Sequence, residues 1–361
     1  MLARPSAGRL APRAGGLPAP PAARCKPPRL RPGPPRSREA GVTADRGEPA
    51  RVVWAIDLGG TNTKLGVVSA DGRILAQAAF PTRPPRGGDD WANEAAAALR
   101  GLAQQARVAG IHALGIGAPG PLSVRQGVLT NPLPNLPGWQ GYPICAALTA
   151  RLGAPARLDN DANVAALAEH WLGAGRGVDN LIVLTLGTGI GSGIIAEGRL
   201  LHGFSDNAGE LGHCSINYRG PRCVCGNRGC IELYASTDAL VRRYRTNRRR
   251  AGRPLPPRAD ITPYAIYRAA QAGEAAAQET FAQTGRFLGM AIASFVHAFN
   301  PELVVLAGGV AQAAEFMLAA TREVVFDRIY PDHKVGLRIE ASPLGEAMGL
   351  LGAARLALTA P

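Results

Sequence analysis

The segment from Glu210 to Glu232, ELGHCSINYRGPRCVCGNRGCIE, sets one histidine and four cysteines, three of them closely spaced, between two carboxylates. The spacing His-x9-Cys-x-Cys-x4-Cys brings together His213, Cys223, Cys225 and Cys230, four soft or borderline ligands able to close a tetrahedral Zn²⁺ site of the structural kind. Gly226 and Gly229 permit the tight turns that let thiolates so near in sequence share one ion. Such a pinned loop would fix Glu210 and Glu232 in space. A redox or incidental cysteine cluster is the competing reading, and the presence of His213 and both glycines weighs against it.

Two glycine turns carry anion-binding chemistry. In DLGGTNTK (Asp57–Lys64), Gly59 and Gly60 let backbone N–H groups approach an oxyanion, Thr61, Asn62 and Thr63 add donors, and Lys64 adds a cation. Asp57 closes an apolar strand, a place from which a carboxylate holds Mg²⁺ through water. The segment does not fit the G-x-x-x-x-G-K-[ST] loop, and an ordinary polar hairpin is its bland alternative. LGTGIGSG (Leu186–Gly193) repeats the logic about 128 residues later, with Gly187, Thr188, Gly189 and Gly191 able to wrap further phosphates. Paired turns are a stronger signal than either alone.

Three other segments complete the set. NDAN (Asn160–Asn163) puts Asp161 after a strand and at a helix start, where a carboxylate either takes a proton from an attacking hydroxyl or simply caps the helix. NPLPNLPGW (Asn131–Trp139) is a proline-stiffened loop whose Asn135 suits hydroxyl recognition, or it is a rigid connector. AGGV (Ala307–Val310) follows an apolar strand, where backbone at Gly308 and Gly309 packs against a flat base or merely turns.

The elements that must position these groups read as two α/β halves. From Arg51 the pattern is strand, glycine turn, strand, Asp71-Gly72 turn, strand, then a helix over Trp91–Val108, a buried strand in ALGIGAPGPL, a strand near Arg157, and a helix capped by Asp161 or Asn163 and stopped at Gly173. NLIVLTLGTGIGSGIIAEGRLL opens a second cycle. PELVVLAGGV is its second buried strand, followed by a helix Ala311–Phe326, a strand Gly336–Ala341 and a last helix Gly345–Leu358. We expect a small domain from 51–160 plus 342–361, a large domain from 161–341 bearing the zinc loop, and a cleft between them.

Composition bounds the rest. A chain of 361 residues holds two substantial cores, and a hydrophobic content of 46% excludes wholesale disorder. The abundance of Ala, Gly, Arg and Pro reads as coding bias. The net charge of +13 is concentrated: Met1–Ala50 carries ten Lys/Arg against three Asp/Glu and eleven of the thirty prolines. That segment reads as a disordered tail, too proline-rich for an amphipathic transit helix and without the apolar core of a secretory signal. Met1 is the only methionine before Met290, so a non-Met start near Val42 or Val52 is an open expectation. A second basic run, Arg242–Arg253, reads as a solvated loop; without aromatic platforms or a helix-turn-helix pattern, no nucleic acid is expected. No apolar run of about 18 residues occurs, so no membrane span is expected. Six cysteines, three bunched as ligands, point to a reducing, cytoplasmic setting.

DLGGTNTK, GAPGP, NLPGW, NDAN, LGTGIGSG, ELGH and CVCGNRGCIE occur in the order and approximate spacing of ROK-family sugar kinases (repressor, open reading frame, kinase), and the chain most resembles the bacterial ATP-dependent glucokinases among them. The likeness covers roughly Val52 to Leu358. It implies a duplicated actin-like, ribonuclease-H-like α/β fold and transfer of the ATP γ-phosphoryl to a hexose, glucose first. It implies Asp161 as general base, and Asn135, Asn160, Asp161, Glu210, His213 and Glu232 as readers of the sugar, His213 serving zinc through its other ring nitrogen. Asp57, Gly59, Gly60, Thr61, Asn62, Thr63, Lys64, Gly187, Thr188, Gly189, Gly308 and Gly309 would serve ATP and Mg²⁺. The alternatives it leaves are kinases of N-acetylmannosamine, N-acetylglucosamine, fructose or allose, a polyphosphate donor, and a sugar-sensing repressor, for which Met1–Ala50 is too short and too proline-rich. It favours a homodimer or homotetramer. LSVRQG after GAPGP departs from the family's more usual Val-Asp pair.

Overall fold

In the computed structural model, residues 51–83, 87–133 and 136–359 are described. The expected tail at 1–50 and Asn135 lie outside them.

The first half runs β1 (Val52–Leu58), β2 (Asn62–Ser69), β3 (Ile74–Pro81), α1 (Gly88–Gln105), β4 (Leu114–Ala118), β5 (Leu122–Ser123), β6 (Val128–Leu129), α2 (Ile144–Leu152), β7 (Ala156–Asn160) and α3 (Asp161–Leu172). The second runs β8 (Leu181–Leu186), β9 (Ile190–Ala196), β10 (Arg199–Leu200), α4 (Glu232–Ala235), α5 (Thr237–Arg250), α6 (Pro263–Gln271), α7 (Ala275–Phe299), β11 (Leu303–Ala307), α8 (Leu318–Arg328), β12 (Arg338–Ala341) and α9 (Met348–Leu358).

Two five-stranded sheets result, ordered β3-β2-β1-β4-β7 and β10-β9-β8-β11-β12. In each, a three-stranded antiparallel meander continues into two parallel strands, so the second sheet repeats the first strand for strand. The parallel strands β4 and β11 are apolar along their whole length and buried on both faces, as strands covered by helices on each side must be.

Helices α3 and α9 join the halves. α9 follows the last strand of the second sheet yet packs on β1 and β4 of the first, and α3 touches both α9 and the second sheet through β8 and β9. Gly352 in α9 makes this approach possible: a Cβ there would collide with the backbone carbonyl of Val164 in α3.

Several expectations need correction. The cap of α3 is Asn160, not Asp161 or Asn163: its side chain accepts from Ala162 N at 2.9 Å. The helix read over Trp91–Val108 is α1, which starts earlier and ends at Gln105. The helix read over Ala311–Phe326 is broken: a 3₁₀ segment, Gly309–Phe316, precedes α8. The last strand begins at Arg338, because Gly336 takes a positive φ of 80°. The basic run Arg242–Arg253 is no solvated loop but largely the body of α5. Ala239, Leu240 and Tyr244 bury one face of that helix, and Arg248 pairs with Glu274 at 2.9 Å. No described helix is long and apolar enough to cross a membrane.

Candidate active site

The parallel strands of both sheets end around a polar cavity of about 470 Å³. Asn160 and Asp161, at the β7–α3 junction, line it together with Gly187, Thr188 and Gly189 of the β8–β9 turn. Glu210, His213 and Glu232 line it too, as do Gly308 and Gly309. Gly308 adopts a φ of 86°, and a Cβ on it would meet the backbone of Leu186 at 2.6 Å, so the β11 turn can lie against β8 only with glycine there. A smaller cavity of about 280 Å³ opens from Gly309 and is lined by Thr262, Pro263, Tyr264 and Tyr267, a slot with flat, apolar sides.

Asp161 opens onto the cavity and is solvent-exposed there, while protein surrounds it at longer range. That surrounding, reinforced by the negative charges of Asp57 and Glu210, pushes its carboxyl up to about 6 against the pull of the Ala162 N–H. Asp57 is itself raised by burial, an effect that Lys64 opposes. A carboxyl raised by a neighbouring carboxylate is an environment that a divalent cation relieves.

The four residues expected as metal ligands converge. One atom from each of His213, Cys223, Cys225 and Cys230 lies within 4.8 Å of all the others. His213 Nδ1 is 3.6 Å from Cys223 Sγ, and Cys225 and Cys230 Sγ are 3.7 Å apart. A tetrahedron built on Zn–S bonds of about 2.3 Å has edges of roughly 3.8 Å, so the residues fit the ion. Within the set the Asn227 N–H lowers the Cys225 thiol, while burial pushes Cys230 up to about 12. Nδ1 of His213 faces the thiols, which leaves Nε2 as its other ring nitrogen.

The same loop reaches the β8–β9 turn. Ile190 N–H donates to Glu232 Oε2 at 3.0 Å, so Glu232 both lines the cavity and braces the glycine turn.

The first glycine turn stands apart from this cavity, since Gly59, Gly60, Thr61 and Asn62 do not line it. Thr63 is fully buried, receives the Trp91 Nε1–H at 2.9 Å and is bonded to Thr82 at 3.0 Å, so it is no phosphate donor. Lys64 lies 3.5 Å from Glu346 on a different cavity wall. Asn160 spends its side-chain oxygen on the cap and its amide on Gly120 O at 3.3 Å, which leaves little of it for a sugar.

Sequence reasoning missed Asp206 and Asn207, which line the cavity. Asp206 crosses to the other half, its Oδ2 accepting from Val124 N–H at 3.1 Å. The signal was the polar run Ser205–Asn207 just before AGELGH. It also missed the pair behind Asp161: Asp159, fully buried, lies 2.7 Å from His202 Nε2.

Two copies of one sheet topology, joined through α3 and α9, give the duplicated fold of the actin-like class. Residues 53–360 match the profile described as the ROK family, and the chain belongs to it. It is 36% identical over 308 residues to a glucokinase of Thermotoga maritima, covering 83% of this chain and 95% of that one. The crystal structure of a ROK family glucokinase from Streptomyces griseus in complex with glucose and AMPPNP is similar at a TM-score of 0.73 and 32% identity, over 86% of this chain and all (100%) of that one. A xylose repressor of Caldicellulosiruptor bescii is 34% identical over 250 residues, 67% of this chain and 61% of the repressor.

Proposed function

We propose that the protein transfers the γ-phosphoryl of ATP to the 6-hydroxyl of a hexose, D-glucose foremost, with Asp161 as general base. The observation that carries this reading is Asp161 itself: a carboxylate raised to about 6 that opens onto a cavity lined also by the Gly187–Gly189 turn and by Glu210, His213 and Glu232. Phosphoryl transfer asks for an in-line hydroxyl, a base and neutralised phosphates, and little covalent work from protein.

In this reading Glu210, His213 and Glu232 hold the sugar hydroxyls, with Asn135 as a further reader. Asp161 accepts the proton of the attacking hydroxyl. The Gly187–Gly189 backbone and Thr188 hold phosphate oxygens, and the base lies in the slot beyond Gly309. Asp57 is the carboxylate that would hold Mg²⁺ through water, and the ion supplies positive charge against the phosphates when bound. The small domain, 51–160 plus 342–361, and the large domain, 161–341, are the two bodies that move, with α3 and α9 as the joint between them. Closure of the halves brings Gly59, Gly60, Thr61, Asn62 and Lys64 towards the phosphates and excludes water. The cluster of His213, Cys223, Cys225 and Cys230 holds a structural zinc, and the cysteine-rich site suits the reducing cytoplasm.

Glucose as acceptor and ATP as donor are supported by the glucokinase relatives and by the glucose–AMPPNP complex of the similar structure. A panel of glucose, mannose, fructose, allose, N-acetylglucosamine and N-acetylmannosamine, each with ATP or polyphosphate, tests them. The highest kcat/KM should fall to glucose with ATP, and a preference of tenfold or more for another sugar would replace it.

A pH dependence follows from the same carboxyl. The base works ionised, so kcat/KM is expected to fall below about pH 6, tenfold per unit at the limit, and to level off above pH 7. Initial rates between pH 5 and 9 read this directly. A profile flat down to pH 5 would remove Asp161 as the base.

A further inference from the structure

A second cavity, of about 530 Å³, lies behind the end of β7 and shares no lining residue with the active cavity. Arg125 in the β5–β6 turn, Arg157 on β7 and Arg199 on β10 line it from three separate elements. Among the described residues none of these guanidinium groups has an ion pair or a side-chain hydrogen bond. The lining carboxylate is Asp159, and it is already committed. One of its oxygens meets His202 Nε2 at 2.7 Å, and the other accepts from Asn160 N–H and Asn163 Nδ2, each at 2.8 Å. The remaining wall is mostly apolar, with Leu167, Leu200 and Leu356 contributing.

Arg125 and Arg199 are exposed and Arg157 half-buried, and no described carboxylate pairs with any of the three beside this largely apolar pocket. We propose that this cavity binds a small amphipathic anion, a phosphate or carboxylate head on an apolar body, and that its occupancy lowers the rate at the active site. The head is met by Arg125, Arg157 and Arg199, with guanidinium forks suited to either anion. The body covers the leucine wall.

The coupling runs through Asp159. Its carboxylate holds Asn160 and Asn163, which flank Asp161, and its own partner His202 lines the new cavity. The Asp159 hydrogen bond raises the His202 pKa, so the imidazole carries positive charge to higher pH than a free one. An anion in the cavity competes for that charge and slackens the grip of Asp159 on the segment that positions the base.

Octyl phosphate, below its micelle concentration, is the probe, titrated calorimetrically into the full chain, with octanoate, inorganic phosphate and octanol beside it. Octyl phosphate is expected to saturate one site, and octanol, which has the body without the charge, to bind at least tenfold more weakly. The octanoate and inorganic phosphate arms tell which head is preferred and whether the body is needed. The double variant Arg157→Ala/Arg199→Ala should lose at least tenfold in affinity with an unchanged melting temperature; Arg125→Gln, at an exposed turn, is a second variant whose folding is not at stake. Equal binding by octanol, or undiminished binding by both variants, overturns the site. Saturating octyl phosphate should lower the ATP-dependent kinase rate at least twofold in the wild type and leave the double variant unaffected. Binding with an unchanged rate overturns the coupling. The binding arm is independent of which sugar the enzyme prefers.

Discussion

Asp161→Asn should lower kcat by roughly two to four orders of magnitude, the usual contribution of a positioned general base, while sugar affinity changes by less than about tenfold. The substitution is chosen for what it preserves. Asp161 Oδ1 accepts the Ala162 N–H at 2.8 Å, and an asparagine keeps an oxygen there, as does the cap from Asn160. The helix start therefore survives, and lost turnover is lost proton transfer. A coupled assay gives kcat, and calorimetry with glucose gives the affinity. Near-native turnover in Asp161→Asn rules out the assigned role.

Removing the metal should have the second-largest effect, and of a different kind. Cys225 is the ligand to change: Cys223 and Cys230 are buried, so their loss would confuse metal loss with a core cavity, whereas Cys225 is exposed. Cys225→Ala is expected to copurify with less than one zinc per chain, to melt several degrees lower, and to show a sugar KM at least tenfold higher with a smaller change in kcat. The split arises because the loop carries His213 and leads directly into Glu232, both lining the cavity and proposed to read the sugar, but does not carry Asp161. Chelation of the wild type should reproduce the phenotype, and returned zinc should reverse it. Elemental analysis that finds no zinc in gently purified, active protein would dispose of the metal reading.

What could be read from the chain alone was local. The four metal ligands span only His213–Cys230, so their spacing nearly fixes their meeting, and the two glycine turns announce the duplication that the paired sheets display. What needed the structure was tertiary. Asp206 meets Val124, and His202 meets Asp159, through contacts 82 and 43 residues apart in sequence. Thr63 illustrates a signal present but unused: neighbours on a strand face opposite ways, so Thr63 and Lys64 could not both aim at one phosphate. In Arg242–Arg253 the charge hid helical spacing, Leu240 to Tyr244, that buries one face of α5. The choice between Asp161 and Asn163 as cap was undecidable by type, since both residues cap well. The structure gives the cap to neither: Asn160 holds it, and Asp161, one residue on, shares the Ala162 N–H and lines the cavity.

The bond between Glu232 and the Ile190 amide reaches beyond either substrate. A single carboxylate thereby braces the glycine turn and lines the cavity at once. Under the proposed kinase reading, trimming Glu232 is no clean test of sugar recognition, because the nucleotide would feel the same change through a slackened loop.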